Sequence, residues 1–435
     1  MPPQPITLFW FRRDLRLEDN VGLFYALQQG RPVLPLFIFD QNILASLPAK
    51  KDARVDFIHH VLSDLHSQLL PHHSGVLVRT GDPVQVWKSL VQEFAVAAVY
   101  ANQDYEPYAV QRDHQVAALL QANGISFHSY KDQVIFAKDE VCKDNGEPYT
   151  VFTPYMKKWR SALRPEMVKS SGSTGTAQSW LKIETRVPRL AEIGFQPTDT
   201  VFPDSIFPEE IIFHYDRTRD FPAQAGTTRL GIHLRFGTVS IRELVRRGMM
   251  LNETWVNELV WREFFMQILH HFPDVVDGPF KPAYKDIHWY NDEAQFQKWC
   301  QGETGYPLVD AGMRELNATG FMHNRVRMVC ASFLAKHLLI DWRWGEKYFA
   351  DRLLDFELSS NNGNWQWAAG CGCDAAPYFR IFNPELQQKK FDPERLYIKK
   401  WLPEVDTPLY PKPMVDHQQA RLRALLAYQK SLKQK

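Results

Sequence analysis

Glu258 and Trp261 stand three residues apart in ELVWREFFMQILHHF (258–272). On a helix that spacing puts both side chains on one face. A carboxylate beside an indole can hold a flat, polar-edged ligand by hydrogen bonding and stacking; the same pair also reads as a salt-bridged surface glutamate next to a core tryptophan. In FMHNRVRM (321–328), Asn324 and Met328 are four apart and share a face, with Arg325 alongside. Together they offer an amide, a thioether and a guanidinium fork, although a helix packed on a neighbour would carry the same residues. GTTRLG (226–231), preceded by Tyr215 and Arg219, presents a glycine and two hydroxyls before a helical stretch. It suits a phosphate held by backbone N–H groups, or equally a threonine helix cap. SSNNGNWQWAAG (359–370) crowds Asn361, Asn362 and Asn364 against Trp365 and Trp367. Amides are poor core residues unless something there needs their hydrogen bonds. If 355–367 is largely helical, Asn361 and Trp365 share a face and Trp367 points away from them.

The elements that must position these residues fall into two kinds. ITLFWF (6–11), VLPLFIFD (33–40), GVLVRTGD (75–82) and VAAVYANQD (96–104) read as buried strands, with ISFHSYKDQVIF (125–136) as a further one. Helical stretches lie between them, near 52–70, 83–94 and 107–123, which is the pattern of a parallel α/β sheet. From about 226 the periodicity becomes helical, and 258–272 and NRVRMVCASFLAKHLLIDW (324–342) are the clearest helices. KSSGSTGTAQS (169–179) reads as a surface linker and the tail KSLKQK (430–435) as frayed. The expected division is an α/β domain over 1–135, a linker over 136–208 and a helical domain over 209–430.

The totals exclude several classes. A chain of 435 residues implies two domains or more, and 45% hydrophobic with 23% charged residues describes an ordinary globular protein. With a net charge of +1, any nucleic-acid binding must use a local basic patch. The five cysteines are odd in number and scattered, which argues against a disulfide framework. Cys371 and Cys373 form only C-x-C, so no metal site is expected. Neither a signal peptide nor a bilayer-spanning run is visible, and the expected compartment is the cytoplasm. Walker A, H-E-x-x-H and G-x-S-x-G motifs are absent; Gly370–Ala375 fits G-x-G-x-x-A but follows no strand, so it lacks its dinucleotide-binding context. His270 and His271 adjoin on a helix and read as ordinary, partly buried histidines.

Several long strings, taken in order, carry a resemblance. WFRRDLRLEDN (10–20), GTTRL (226–230), NELVWREFF (257–265), TGYPLVDAGMRELNATGFMHNRVRM (304–328), IDWRWGEKYF (340–349), NNGNWQWAAG (361–370) and DAAPYFRIFNP (374–384) resemble the cryptochrome/photolyase family over nearly the whole chain. Within it they are most similar to class I cyclobutane pyrimidine dimer photolyases. The resemblance implies an N-terminal Rossmann-like α/β domain, a long linker and a C-terminal helical domain that binds FAD. Tyr215, Thr227, Thr228, Arg229 and Leu230 match the part that holds the FAD phosphates; Gly231 stands where relatives commonly carry Ser. Asp355 matches the acidic residue at the flavin ring and ribose, and Glu357 replaces a second Asp. Asn361 matches the residue facing flavin N5. Trp365, Trp342 and Trp289 match a chain of tryptophans that conducts electrons from the surface to the flavin. Glu258, Trp261, Asn324, Met328 and Trp367 match the dimer-binding pocket, and Arg219 and Arg325 match DNA-facing positions.

The implied reaction is light-driven repair of UV-damaged DNA by a monomer. A blue-light photoreceptor of the cryptochrome type, a (6-4) or DASH-type photolyase, and a nucleotide-binding domain fused to a helical module without light chemistry are the alternatives. The retained pocket, MHNRVRM and WQW favour dimer repair in duplex DNA. An antenna pigment stays open between deazaflavin, flavin, folate and none. Tyr108 and Ala109, in NQDYEPYAVQRD (102–113), stand where folate-binding relatives place an acidic contact.

Overall fold

The computed structural model describes residues 4–172 and 179–433. Most of the expected linker 169–179 thus lies outside the described residues, as do the last two residues of the tail. Five parallel strands, β1 (Ile6–Phe11), β2 (Val33–Asp40), β3 (Leu77–Gly81), β4 (Val96–Asn102) and β5 (Ser126–Tyr130), form one sheet in the order β3-β2-β1-β4-β5. Each crossover carries a helix: Val21–Leu27, Ala53–Leu69, Pro83–Glu93 and Pro107–Ala122. Helices on both faces bury β1 and β2 along their whole length, which is why both read as continuous apolar runs. Leu8, Trp10, Leu34, Leu36, Val99 and Trp87 form the core of this layer, with Trp10 edge-on to Trp87 at 5.5 Å.

The string 10–20 follows β1 and works as a latch. Asn102, at the end of β4, donates to Asp14 Oδ2 at 2.6 Å and to Asn20 Oδ1 at 2.8 Å, and its side-chain Oδ1 accepts from Gly22 N at 2.9 Å. Asn20 in turn caps the helix Val21–Leu27 by accepting from Leu23 N. Asp19 and Asp132 share Arg242, with Asp132 also bonded to Arg16 at 2.8–2.9 Å. Burial raises the Asp14 pKa, whereas Arg16 and Arg242 overcome the burial of Asp132 and lower it.

The chain separates into two compact units, and their bounds differ from the expected ones. The first comprises Met1–Ala137, Leu163–Phe207 and Arg229–Arg247; the second comprises Lys138–Ala162, Pro208–Thr228 and Gly248–Lys435. The stretch expected as one linker is therefore divided between them. Its first part, which includes the helix Phe152–Ala162, is amphipathic and buries Phe152, Tyr155 and Trp159, with Trp159 donating to Glu263 at 2.6 Å. A segment with its own buried face belongs to a core and not to a tether.

In the second unit the core contains Trp299, Phe333, Leu334, Trp342, Phe349 and Trp365. Two helical expectations need correction. The run 324–342 is not one helix: Asn324–Ser332 passes into a wider π turn, Phe333–His337, and stops. Leu339 adopts φ +49°, and Asp341 accepts from Arg343 N to cap a new helix, Trp342–Arg352. Nor is 355–367 helical from its start. The helix is Leu358–Ala369, capped by Glu357, whose carboxylate accepts from Ser360 N at 3.0 Å. The tail is helical through Lys433 in His417–Lys433, with Ser431 buried and donating to Ala283 O at 3.2 Å.

Candidate functional site

The long helix Glu253–His271 starts where Asn252 accepts from Thr254 N and Trp255 N. Its half-buried stripe runs through Thr254, Asn257, Glu258 and Trp261, so the spacing seen in the sequence does put the carboxylate and the indole on one face. Arg219 donates to Glu258 Oε1 at 2.5 Å, and its guanidinium lies 5.4 Å from the centre of the Tyr215 ring. Burial pushes the Glu258 pKa up while Arg219 pulls it down, and the net direction is up. Burial, reinforced by Glu258, also raises the Tyr215 phenol. Trp261 is stacked face to face on Phe152, with ring centres 3.6 Å apart and planes within 7°.

The GTT loop reaches this cluster through one glycine. A Cβ at Gly226 would lie 2.6 Å from the Thr218 carbonyl oxygen, so only a glycine lets the loop sit against the turn Tyr215–Thr218. Thr227 and Thr228 follow it, half-buried. Neither caps the next helix: Leu230 is the N-cap residue of Gly231–Phe236 and makes no side-chain bond there. The boundary between the two units falls after Thr228; Arg229, at φ +53°, is exposed and Leu230 is buried.

A second group gathers around a cavity of about 600 Å³, counting its mouth. Asn324, Arg327, Met328 and Ala331 line it from one helix, at spacings of three, four and seven; Asp355, Glu357, Asn361, Asn364, Trp365 and Trp367 line it from another helix and its approach. The buried Trp365 indole is fixed edge-on by Phe349 at 5.0 Å and Trp299 at 6.2 Å. Gly345 sits beneath it, where a Cβ would come within 2.2 Å of the indole. Asn361 donates through Nδ2 to both the backbone and the side-chain oxygens of Glu346, at 3.0 Å each, which leaves Oδ1 for the cavity. Burial raises the Glu346 pKa, with the bond from Asn361 opposing it. Asp355 accepts two bonds from Arg327, at 2.9 and 3.1 Å. Trp367, expected to turn away, borders the same cavity half-buried, 6.4 Å from Phe382.

Cavity and ion-pair cluster thus divide the expected residues. Glu258, Trp261, Arg219 and Tyr215 do not line the cavity. Arg325 lies near it but is engaged elsewhere, donating to Asp220 at 2.7 Å with its guanidinium 4.3 Å from the Phe391 ring. Trp342 is buried in the same core as Trp365, and Trp289 packs half-buried against that core, edge-on to Tyr428 at 6.2 Å. Sequence reasoning missed Arg327 and Glu346. Arg327 was within reach, because it lies three residues after Asn324 on the face already chosen. Tyr108 donates to Asp40 at 2.7 Å and its phenol is pushed up to about 12 by burial, while Ala109 is buried in the helix Pro107–Ala122.

Residues 7–171 match the family described as DNA photolyase, and residues 255–409 match the FAD binding domain of DNA photolyase. A deoxyribodipyrimidine photo-lyase of Synechococcus is 39% identical over 465 residues, covering 96% of each chain. This chain belongs to the DNA photolyase family. Among solved photolyase structures, the class III photolyase of Agrobacterium tumefaciens superposes with a TM-score of 0.86 at 32% identity, covering 100% of this chain and 99% of its own. The photolyase of Sulfolobus tokodaii, solved with two FAD molecules, has a TM-score of 0.82 at 34% identity, covering 98% and 99%. The expected architecture, α/β first and helical second, is that of the family. The residues present fit the photolyase cofactor. The lining of the cavity pairs a flat apolar wall with amide, carboxylate and guanidinium edges, as a flavin ring requires. Among the described residues no helix is long and apolar enough to cross a membrane.

Proposed function

We propose that this protein repairs cyclobutane pyrimidine dimers in DNA by light-driven electron transfer, with FAD as its cofactor. The observation that carries the reading is the 39% identity to a deoxyribodipyrimidine photo-lyase over 96% of both chains, with the cavity's polar rim in support. When bound and reduced, FAD supplies on illumination the electron that opens the cyclobutane ring, and recovers it afterwards, so a cycle consumes no reductant. The residues of the chain prepare for that event. Asn361, held by Glu346, keeps an amide oxygen at the cavity; Asp355, held by Arg327, keeps a carboxylate at its rim. Tyr215, Thr227 and Thr228 would hold the cofactor's phosphates, and Glu357, which caps the helix Leu358–Ala369, adds a second carboxylate to the cavity lining. Trp365, Trp342 and Trp289 carry an electron inward through a core that excludes water and return the cofactor to its reduced state.

On the DNA side, Trp261, Asn324, Met328 and Trp367 receive the flipped-out dimer, while Arg219 and Arg325 face the strand. A damaged pair stacks weakly, so extruding it costs no more than a few kcal/mol. Glu258 bonds to the dimer where negative charge builds up, and this stabilises the charged state more than the ground state. The class I assignment rests on the long strings shared over the chain; MHNRVRM favours cyclobutane over (6-4) lesions and WQW favours duplex DNA, and the protein acts as a cytoplasmic monomer. The test is to illuminate an oligonucleotide carrying one thymine dimer with reduced protein and to measure the restored strand by chromatography. Repair is expected; no repair by a flavin-loaded sample overturns the reading in favour of a photoreceptor.

A further inference from the structure

Three side chains of different type converge at the C-terminal end of the long helix. Asp139 lies in the short turn Lys138–Glu140, Cys142 follows three residues later, and His271 ends the helix Glu253–His271. A carboxylate oxygen, a thiol sulfur and an imidazole nitrogen from these three all lie within 4.8 Å of one another. His271 Nε2 stands 3.6 Å from Asp139 Oδ1, too far for a hydrogen bond, and it is buried with no hydrogen-bond partner among the described residues. A buried ring nitrogen without a partner is uncommon, and this one faces two other donor atoms.

We propose that Asp139, Cys142 and His271 form a divalent-metal site of the zinc class, with water in the fourth position. Zinc binds thiolate, imidazole and carboxylate at about 2.0–2.3 Å in a tetrahedron, which places the ligand atoms roughly 3.3–3.8 Å apart. The histidine–aspartate distance already meets that spacing, and a contraction of ~1 Å at most closes the rest. Thiolate and imidazole select zinc over magnesium or calcium. Both arms of the site are anchored. His271 is held by nineteen residues of helix, and Cys142 by an antiparallel bridge to Pro148 that closes over the turn Lys143–Gly146. Burial and Asp139 raise the Cys142 pKa, so metal binding releases the thiol proton to solvent, and the bound cation then offsets the neighbouring carboxylate. Lys138 and His270 are the nearby groups that oppose a cation. The site would fasten the start of a segment that runs on to Tyr149, whose carbonyl accepts from Gln267 at 2.8 Å, and to Phe152, which stacks on Trp261.

The experiment uses FAD-loaded protein stripped with chelator, desalted and titrated with zinc chloride in a calorimeter. One equivalent is expected to bind, with affinity weakened about tenfold or more in both Cys142→Ser and His271→Ala. Zinc is also expected to slow alkylation of Cys142, read by peptide mass on the folded protein. The flavin spectrum reports whether each variant is folded; if His271→Ala loses it, Cys142→Ser and the alkylation rate decide. Absence of a saturable single site in the wild type, or unchanged zinc affinity in Cys142→Ser, overturns the proposal.

Discussion

The cavity at Trp365 and the cluster at Glu258 both combine a carboxylate, a guanidinium and an indole, yet they are built on opposite plans. At the cavity, the polar groups are held from behind: Arg327 fixes Asp355, Glu346 fixes Asn361, and Phe349 and Trp299 fix Trp365. Their remaining valences face open space. At the other cluster, the polar groups hold each other. Arg219 closes on Glu258, and Phe152 covers a face of Trp261. The first is preorganised for a resident ligand, whose binding costs little rearrangement. The second is closed on itself, so a ligand must open an ion pair or a stack before it can bind, as suits a substrate that comes and goes.

The largest test of this contrast removes the cavity wall. Trp365→Ala should lose about 3–5 kcal/mol of stability, since it empties a buried indole site, and should lose FAD with it. Trp365→Phe should keep the fold and the cofactor but abolish rapid photoreduction, because phenylalanine is not an oxidisable relay. Flash spectroscopy on oxidised protein reads this directly. Photoreduction at the wild-type rate would remove Trp365 from the relay, and repair by chemically prereduced Trp365→Phe should persist.

Next comes the support behind the rim. Arg327→Met removes two charge-assisted bonds to Asp355, worth roughly 1.5–3 kcal/mol, and should weaken FAD about tenfold. Arg219→Met, its counterpart in the other cluster, should leave FAD affinity unchanged. Equilibrium dialysis of the two variants compares the plans side by side, and equal losses would erase the distinction drawn between them.

How legible this was differs by region. β1 and β2 match the runs read from the sequence, because a strand buried on both faces announces itself by unbroken apolar residues. The run 324–342 was read from its helical periodicity, and periodicity does not register the π turn at 333–337 or the stop before the helix restarts. Asp341, a capping residue directly before Trp342, was the local signal of a break. Asn361 and Trp365 were readable from spacing on one helix. Glu346, which orients Asn361, lies on a different helix fifteen residues earlier, and no spacing rule connects the two. The same holds for Cys142 and His271, which only the fold brings together. Spacing groups residues on a helix face, although Trp367, read as pointing away, borders the same cavity as Asn361 and Trp365; what holds each residue from behind is tertiary.

A smaller effect is expected where the lesion would stack. Trp367→Ala should cost about 1–3 kcal/mol in affinity for dimer-containing DNA, one stacking surface's worth, with flavin absorbance retained because Trp367 only borders the cavity. Gel-shift titration with damaged and undamaged duplexes checks it, and an equal loss on both would mean that Trp367 contacts DNA without reading the lesion.

The smallest effect separates binding from chemistry at Glu258. Its half-exposed carboxylate already has a partner in Arg219, so Glu258→Gln should leave FAD bound and DNA affinity nearly unchanged. The amide can still bond to a dimer, but it cannot match the carboxyl group as negative charge develops, so the yield of dimer splitting per absorbed photon should fall several-fold. The pH response gives an independent reading. Burial raises the Glu258 pKa above the ordinary value of 4.5, so on acidification this carboxylate takes up its proton earlier than a free glutamate would, and its bond with Arg219 loosens with it. The repair yield of the wild type should therefore change on the acid side at a pH above 4.5, whereas Glu258→Gln, having nothing to titrate there, should be flat over that range. Matching profiles for the two proteins would assign the acid response to another group and reduce Glu258 to a partner for Arg219.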